Sequence, residues 1–111
     1  MKLIDALTAD PKQRMFLIGE NGERIGFAVY YVPTQQGWFF NISYSGITAN
    51  GLRLVAGLNA LRAFRNRFPF GLSCFSADGL DPYYINDFST GRIKLYLLNS
   101  EDVENAEAAY Q

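Results

Sequence analysis

The feature that most constrains this fold is a pair of short segments in which apolar side chains fall on every second residue. The first segment, residues 24–32, places on one side Ile25, Phe27, Val29 and Tyr31. The second, residues 38–45, places on one side Trp38, Phe40, Ile42 and Tyr44. Successive side chains of a strand point to opposite faces, so each segment predicts a strand with one face in the core.

Turn-forming residues join these segments into a predicted three-stranded meander. An apolar run over residues 15–18 comes first, and Asn21-Gly22 follows it. Asn-Gly tolerates positive φ at both central positions of a tight hairpin, so a hairpin is predicted here. Residues 33–37 have the composition of a second turn.

The second half of the chain predicts shorter elements. We expect a turn over residues 46–51, a short strand over 52–55 and further strands over 70–76 and 92–98. A helical spacing is shared by Leu54, Leu58, Leu61 and Phe68. This spacing predicts a short helix over residues 58–67, stopped before Pro69. Asn99 or Ser100 is a suitable cap for an acidic helix running toward Ala109.

Together these elements predict a mainly β fold: a small antiparallel β-barrel or sandwich with one short helix and a short C-terminal helix. A length of 111 residues fits one domain. We expect an N-terminal arm over residues 1–13, a single β-rich domain over 14–98 and an acidic C-terminal tail over 99–111. Both ends are expected to reach into neighbouring subunits.

Composition argues against several classes of function. The net charge is −1, so no global field attracts nucleic acid or an anionic membrane. The start of the chain is too polar for a signal peptide, and no apolar run approaches the ~20 residues of a membrane span. A chain that is cytosolic in synthesis and soluble is therefore expected. Cys74, the single cysteine, lies in an apolar setting that predicts a buried thiol.

Catalytic chemistry is poorly represented. The sequence has no histidine, the commonest general base and metal ligand. Asp78, Asp81 and Asp87 lack the spacing of a calcium loop, and we interpret them as turn-setting loop acids rather than as metal ligands or a glycosidase pair. No phosphate-binding loop is present. The sequence therefore predicts no enzyme and no cofactor.

Arginines are concentrated in the middle of the chain: Arg53, Arg62, Arg65 and Arg67. Interleaved Phe64 and Phe68 leave nucleic-acid binding open, but the near-zero net charge argues against it. Arginine is enriched at protein interfaces, so a partner-facing surface is the preferred interpretation. An acidic partner would complement it, such as the tail of another copy, with its four acids Glu101, Asp102, Glu104 and Glu107.

Seventeen aromatic residues raise a further alternative. Aromatic strands can line sugar-binding faces, although core packing is their ordinary role in a small β domain. The burial or exposure of Trp38 and of the tyrosines separates these two interpretations. A solvent-open row of aromatic side chains would favour a carbohydrate-binding or cell-wall-degrading module, whereas burial would leave only a core.

The segment from Gly51 to Leu61 has the pattern Gly-x-x-Leu-Val-x-Gly-x-Asn-x-Leu, where x is any residue and Ala56 occupies one such position. In this pattern the chain resembles the baseplate plug family of contractile-tailed bacteriophages. The resemblance continues through the hairpin of residues 16–27, the aromatic strand 38–44, the loop 78–82 and the closing strand from Gly91. It spans most of residues 14–98 and leaves the arm and the tail outside.

This resemblance implies a structural virion protein of the tail baseplate. Such a protein would pack against hub and spike proteins near the tail axis and help to close the tail tube before ejection. A trimeric hub and spike would be matched by a homotrimer. Neither a membrane nor a sequence-specific nucleic acid is implied as a partner.

Overall fold

The computed structural model describes residues 1–109, which form seven strands and one helix. The strands are β1 (Lys2–Leu3), β2 (Lys12–Ile18), β3 (Arg24–Val32), β4 (Gly37–Tyr44), β5 (Ile47–Arg53), β6 (Gly71–Ser76) and β7 (Ile93–Leu98). The helix is α1 (Ser100–Ala109). The last two residues of the predicted tail, Tyr110 and Gln111, lie outside the described residues.

The first sheet is an antiparallel meander in the order β2-β3-β4-β5. Gly22 has φ +83° in the first turn, as expected of an Asn-Gly hairpin. Ser45 and Gly46 both have positive φ and form the tight turn between β4 and β5. The predicted hairpin and three-stranded meander are confirmed, and β5 extends the meander to four strands.

The second sheet has the order β1-β7-β6, also antiparallel. Lys2 pairs with Leu97 and Leu3 with Tyr96 of β7, and the buried Ile4 donates its N–H to the Leu95 carbonyl at 2.8 Å. Part of the predicted arm is therefore a sheet edge within this chain. That residues 1–12 and 99–111 also reach into neighbouring subunits stays a prediction.

One apolar core is shared by both sheets. The first sheet contributes Ile25, Phe27, Val29, Trp38, Phe40 and Ile42, all at most 3% exposed. The second contributes Leu72, Cys74, Ile93, Leu95 and Leu97. Tyr44 of β4 meets Phe70 edge-on at 5.5 Å between ring centroids. The mainly β, antiparallel prediction and the C-terminal helix are confirmed, and no closed barrel forms within residues 1–109.

The helix predicted over residues 58–67 is wrong. Only a 3₁₀ turn forms there, over Arg62–Phe64. The buried Asn59 side chain organises the segment, because its Oδ1 accepts the N–H of Leu61 at 3.0 Å and of Leu72 at 3.1 Å. These bonds tie the backbone to β6 and replace those of a helix. Leu54, Leu61 and Phe68 are nevertheless buried, whereas Leu58 is half exposed.

The boundary of β5 also differs from its prediction. A turn was expected over residues 46–51 and a strand over 52–55, but the strand runs from Ile47 to Arg53. Its small and polar residues reflect a strand with one solvent-facing side. Ala49 faces the core, while Thr48 and Asn50 are exposed.

Candidate interface surfaces

Two of the four clustered arginines meet the acidic tail of their own chain. Arg62 contacts the Glu107 carboxylate at two points, with Nε–Oε2 and Nη2–Oε1 distances of 3.0 Å. Arg65 Nε lies 3.7 Å from the same carboxylate. Hydrogen bonds from the Arg62 guanidinium lower the pKa of Glu107. Arg62 and Arg65 therefore pair with the tail of their own chain, and a contact between these arginines and the tail of another copy stays a prediction.

The other two arginines lie apart from this junction. Arg53, at the end of β5, is exposed and sits 5.5 Å from the Phe39 ring centroid, on the outer face of the first sheet. Arg67 is exposed in the loop before β6. Arg53 thus lies on a different surface from Arg62 and Arg65, and that all four arginines face a partner stays a prediction.

The acidic tail forms α1, which begins with a reciprocal cap. Asn99 Oδ1 accepts the Asp102 N–H at 2.7 Å, and Asp102 Oδ2 accepts the Asn99 N–H at 3.2 Å. Asp102 Oδ2 also lies 2.8 Å from the Met1 amino nitrogen. Glu101 and Glu104 are exposed and form no ion pair with residues 1–109. They are the two tail acids available to a partner.

The loop between β6 and β7 is held by an arginine-centred network that the sequence did not predict. Arg92 Nε and Nη2 contact the two Asp87 oxygens at 2.9 and 2.8 Å, and its Nη1 contacts Asp78 Oδ1 at 2.7 Å. Asp87 is 1% exposed and also accepts the N–H groups of Tyr83 and Tyr84. In the sequence, the signal that could have predicted this network is an arginine, Arg92, that follows three aspartates within 14 residues.

Opposing effects set the ionisation of the two acids in this network. Burial disfavours the Asp87 carboxylate, but hydrogen bonds from Arg92 and from two backbone N–H groups outweigh it and lower its pKa. The pKa of Asp78 is lowered mainly by the Leu80 N–H. Asp81 Oδ1 accepts the Ala56 N–H at 2.9 Å. The interpretation of these residues as turn-setting acids therefore understated Asp87, which is buried and paired.

This network presents an apolar loop tip to solvent. Tyr84 is 57% exposed, and Leu80 and Ile85 are also exposed. The backbone beneath them is fixed to the first sheet, because the Tyr31 hydroxyl donates to the Tyr83 carbonyl at 2.7 Å and Trp38 Nε1 to the Tyr84 carbonyl at 2.9 Å. Apolar side chains on a fixed backbone lose little entropy on binding, which suits a protein interface.

A second apolar surface lies on the outer side of the second sheet. It is a groove of about 510 Å³ whose apolar lining comes chiefly from Met1, Leu58, Phe75 and Tyr96. Phe75 and Leu58 are about half exposed. Exposed apolar surface of this kind marks sites of protein contact more often than a polar surface does.

The described residues offer little catalytic chemistry. Burial raises the pKa of the Cys74 thiol to about 12, so the nucleophilic thiolate is scarce at neutral pH. Its predicted burial is confirmed. Within residues 1–109 no group of three or more metal-ligating acidic or thiol side chains comes together. Trp38 is fully buried, which removes it from any exposed sugar platform.

Comparison with known proteins identifies the chain. A family model described as the cyanophage baseplate Pam3 plug gp18 matches residues 1–101. No curated protein matches the chain. The match includes the first 13 residues, so the expectation that the arm lies outside the resemblance is wrong. Most of α1 lies beyond the matched residues. Separately, no helix in residues 1–109 has the length and apolar character to cross a membrane. The chain therefore belongs to the cyanophage baseplate plug family.

Proposed function

We propose that this protein is a structural component of the phage tail baseplate that packs against hub and spike proteins near the tail axis and helps to plug the tail tube before ejection. Membership of the baseplate plug family carries the proposal. The contractile character of the tail and the identity of these neighbours belong to the proposal.

The surface of the chain supports a packing role. Its apolar loop tip and its apolar groove are lined by different exposed apolar side chains, and both supply surface for contacts with neighbouring proteins. The loop tip is held by a buried ion pair and by bonds to the core tyrosine and tryptophan. A plug must keep its shape while neighbouring proteins bear on it, and a fixed backbone provides this.

Polar contacts would surround these apolar ones. The proposed partner-facing residues are Arg53, Arg62, Arg65, Arg67, Glu101, Asp102, Glu104 and Glu107. Of these, Arg53, Arg67, Glu101 and Glu104 are exposed and outside the ion pairs described above. Charged residues at an interface rim contribute specificity and rate of association more than affinity, which suits a contact that must yield at ejection.

A homotrimer is the oligomer proposed, to match a threefold hub and spike.

A non-enzymatic role is also proposed for the protein. The structural family and the unreactive setting of Cys74 support that role. Proteolytic, glycosidic or other turnover is not required of a protein that acts by packing.

Cross-linking mass spectrometry of purified virions tests this proposal. We expect the chain in the particle, with cross-links from its lysines to hub or spike proteins. A variant carrying Leu80→Ser, Tyr84→Ser and Ile85→Ser should be incorporated much less, while the matched surface variant Ser89→Ala should be incorporated normally. Absence of the chain from virions, or cross-links only to the sheath or head, would overturn the proposal. Binding of purified chain to cell-wall glycans would favour the carbohydrate-binding alternative instead.

A further inference from the structure

The outer face of the first sheet is basic, although the chain as a whole has a net charge of −1. Its four cationic residues are Lys12, Arg14, Arg24 and Arg53, all exposed. None of the strands β2 to β5 contains an aspartate or a glutamate. Within residues 1–109 none of these four side chains forms an ion pair. We call this surface the basic sheet face.

The strand register arranges this face in rows. Lys12 pairs with Tyr30, Tyr30 with Phe39 and Phe39 with Arg53, so one row has a cation at each end. Strands lie about 4.8 Å apart, and this row therefore spans about 14 Å. Tyr30 and Phe39 stack at its centre with their ring centroids 6.0 Å apart.

Beside this row lies a groove with a floor of small residues. It has a volume of about 560 Å³, and its floor includes Gly26, Ala28 and Ser43. Arg14 and Phe16 line one side. The floor is closely packed, since a Cβ at Gly26 would lie 2.5 Å from Ser43 Oγ. Small side chains across two central strands leave room for a chain segment to lie against the sheet.

The aromatic residues of this face favour a polypeptide over a nucleic acid. The Arg24 guanidinium carbon lies 4.0 Å from the Phe16 ring centroid, and Arg53 lies over Phe39. Tyr30 is stacked on Phe39. Each of these rings already has one stacking partner within the chain, which leaves less ring surface for stacked bases. A guanidinium stacked on a ring keeps its N–H groups at the edge, where they can bind a carboxylate at two points.

We propose that the basic sheet face docks an acidic polypeptide segment of a neighbouring baseplate protein. The segment would lie in the groove, with carboxylates on Arg14, Arg24 and Arg53 and apolar groups on Phe16 and Tyr30. This inference rests on the proposed baseplate function and adds the chemistry of one partner. It also explains an unpaired set of cations in a chain with more acidic than basic residues.

Zero-length carbodiimide cross-linking of assembled particles tests the proposal, because it joins only amines and carboxylates in contact. Lys12 reports on the basic sheet face, while Lys2 and Lys94 report on the second sheet. We expect Lys12 to cross-link to an aspartate or glutamate of another chain. Arg14→Gln/Arg24→Gln should lower that yield roughly tenfold, as expected when two charge-assisted contacts are lost.

The matched control is Lys2→Gln/Lys94→Gln, which removes the same charge from the other sheet and should leave the Lys12 cross-link unchanged. Ala28→Glu places a negative charge in the groove that would repel an acidic segment. This substitution should also lower the yield of the Lys12 cross-link. Circular dichroism of each purified variant verifies folding.

The outcomes separate this inference from the proposed function. If the chain is in the particle but Lys12 stays free to acylation and forms no cross-link to another chain, the docking proposal alone is overturned. If Lys12 is protected only until nuclease treatment, the ligand is a nucleic acid and the proposal is likewise overturned. If the chain is missing from the particle, the proposed function fails, and this inference fails with it.

Discussion

The Arg92 guanidinium donates two hydrogen bonds to the buried Asp87 carboxylate, with Nε–Oδ1 and Nη2–Oδ2 distances of 2.9 and 2.8 Å. This pair connects the start of β7 to the loop that carries the exposed Tyr84. The Tyr83 and Tyr84 N–H groups donate to the same carboxylate. This ion pair therefore helps to hold the apolar loop tip, together with the hydrogen bonds from Tyr31 and Trp38.

Removing the arginine leaves a buried carboxylate without its partner. Arg92→Ala should lower the free energy of unfolding by about 3 kcal/mol, the usual cost of breaking a buried pair. The exposed Arg67→Ala should change it by less than about 0.5 kcal/mol. Urea denaturation followed by tryptophan fluorescence measures both. Equal effects of the two substitutions would contradict the structural role of Arg92.

Stability should fall in acid. Arg92 and backbone N–H groups hold the pKa of Asp87 below its ordinary value despite burial. A carboxyl with a lowered folded-state pKa contributes stability above its unfolded pKa, about 4, and loses it as the pH falls through the folded pKa. The free energy of unfolding should therefore decline below about pH 4. Asp87→Asn should be less stable at pH 7 and show a shallower decline; an unchanged slope would contradict the assignment.

The tail helix should depend on Glu107. Its carboxylate joins α1 to Arg62 and Arg65, whereas Glu104 on the same helix is exposed. Glu107→Gln should speed amide hydrogen exchange in α1, and Glu104→Gln should not. Added salt should reduce the difference, because the pair is partly exposed and therefore screened. Exchange monitored by mass spectrometry gives the comparison directly.

Cys74 should be inert in the folded protein. It is 3% exposed, and burial raises its pKa to about 12. Maleimide labelling at pH 7 should be slow in buffer and complete within minutes in concentrated urea. Rapid labelling of the native protein would show that β6 opens readily, contrary to the packing of Cys74 within the shared core.

Regular alternation made the first sheet predictable. The pattern of Ile25, Phe27 and Val29 reports directly on which side of β3 is buried, and Asn21-Gly22 fixes the turn before it. The helix over residues 58–67 was mispredicted because the leucine spacing reflects burial alone. The hydrogen bonds of Asn59 to the Leu61 and Leu72 N–H groups decide the backbone there, and they depend on a strand more than ten residues away.

The candidate surfaces were less predictable for the same reason. Sequence proximity grouped Arg53 with Arg62, but β5 carries Arg53 to the basic sheet face. The link between Arg92 and Asp78 depends on the path of the loop over residues 77–92, because 14 positions separate the two residues. Side-chain pairing across such distances follows from the fold, and local composition does not contain it.

Reconstruction of the intact tail baseplate by cryo-electron microscopy is the most direct measurement of the central claim. We expect density matching the two sheets and α1 close to the tail axis at the end of the tube, with the apolar loop tip of Tyr84 against a neighbouring protein. Density for this chain only at the baseplate periphery, or an open axial channel in particles that contain it, would contradict a plug.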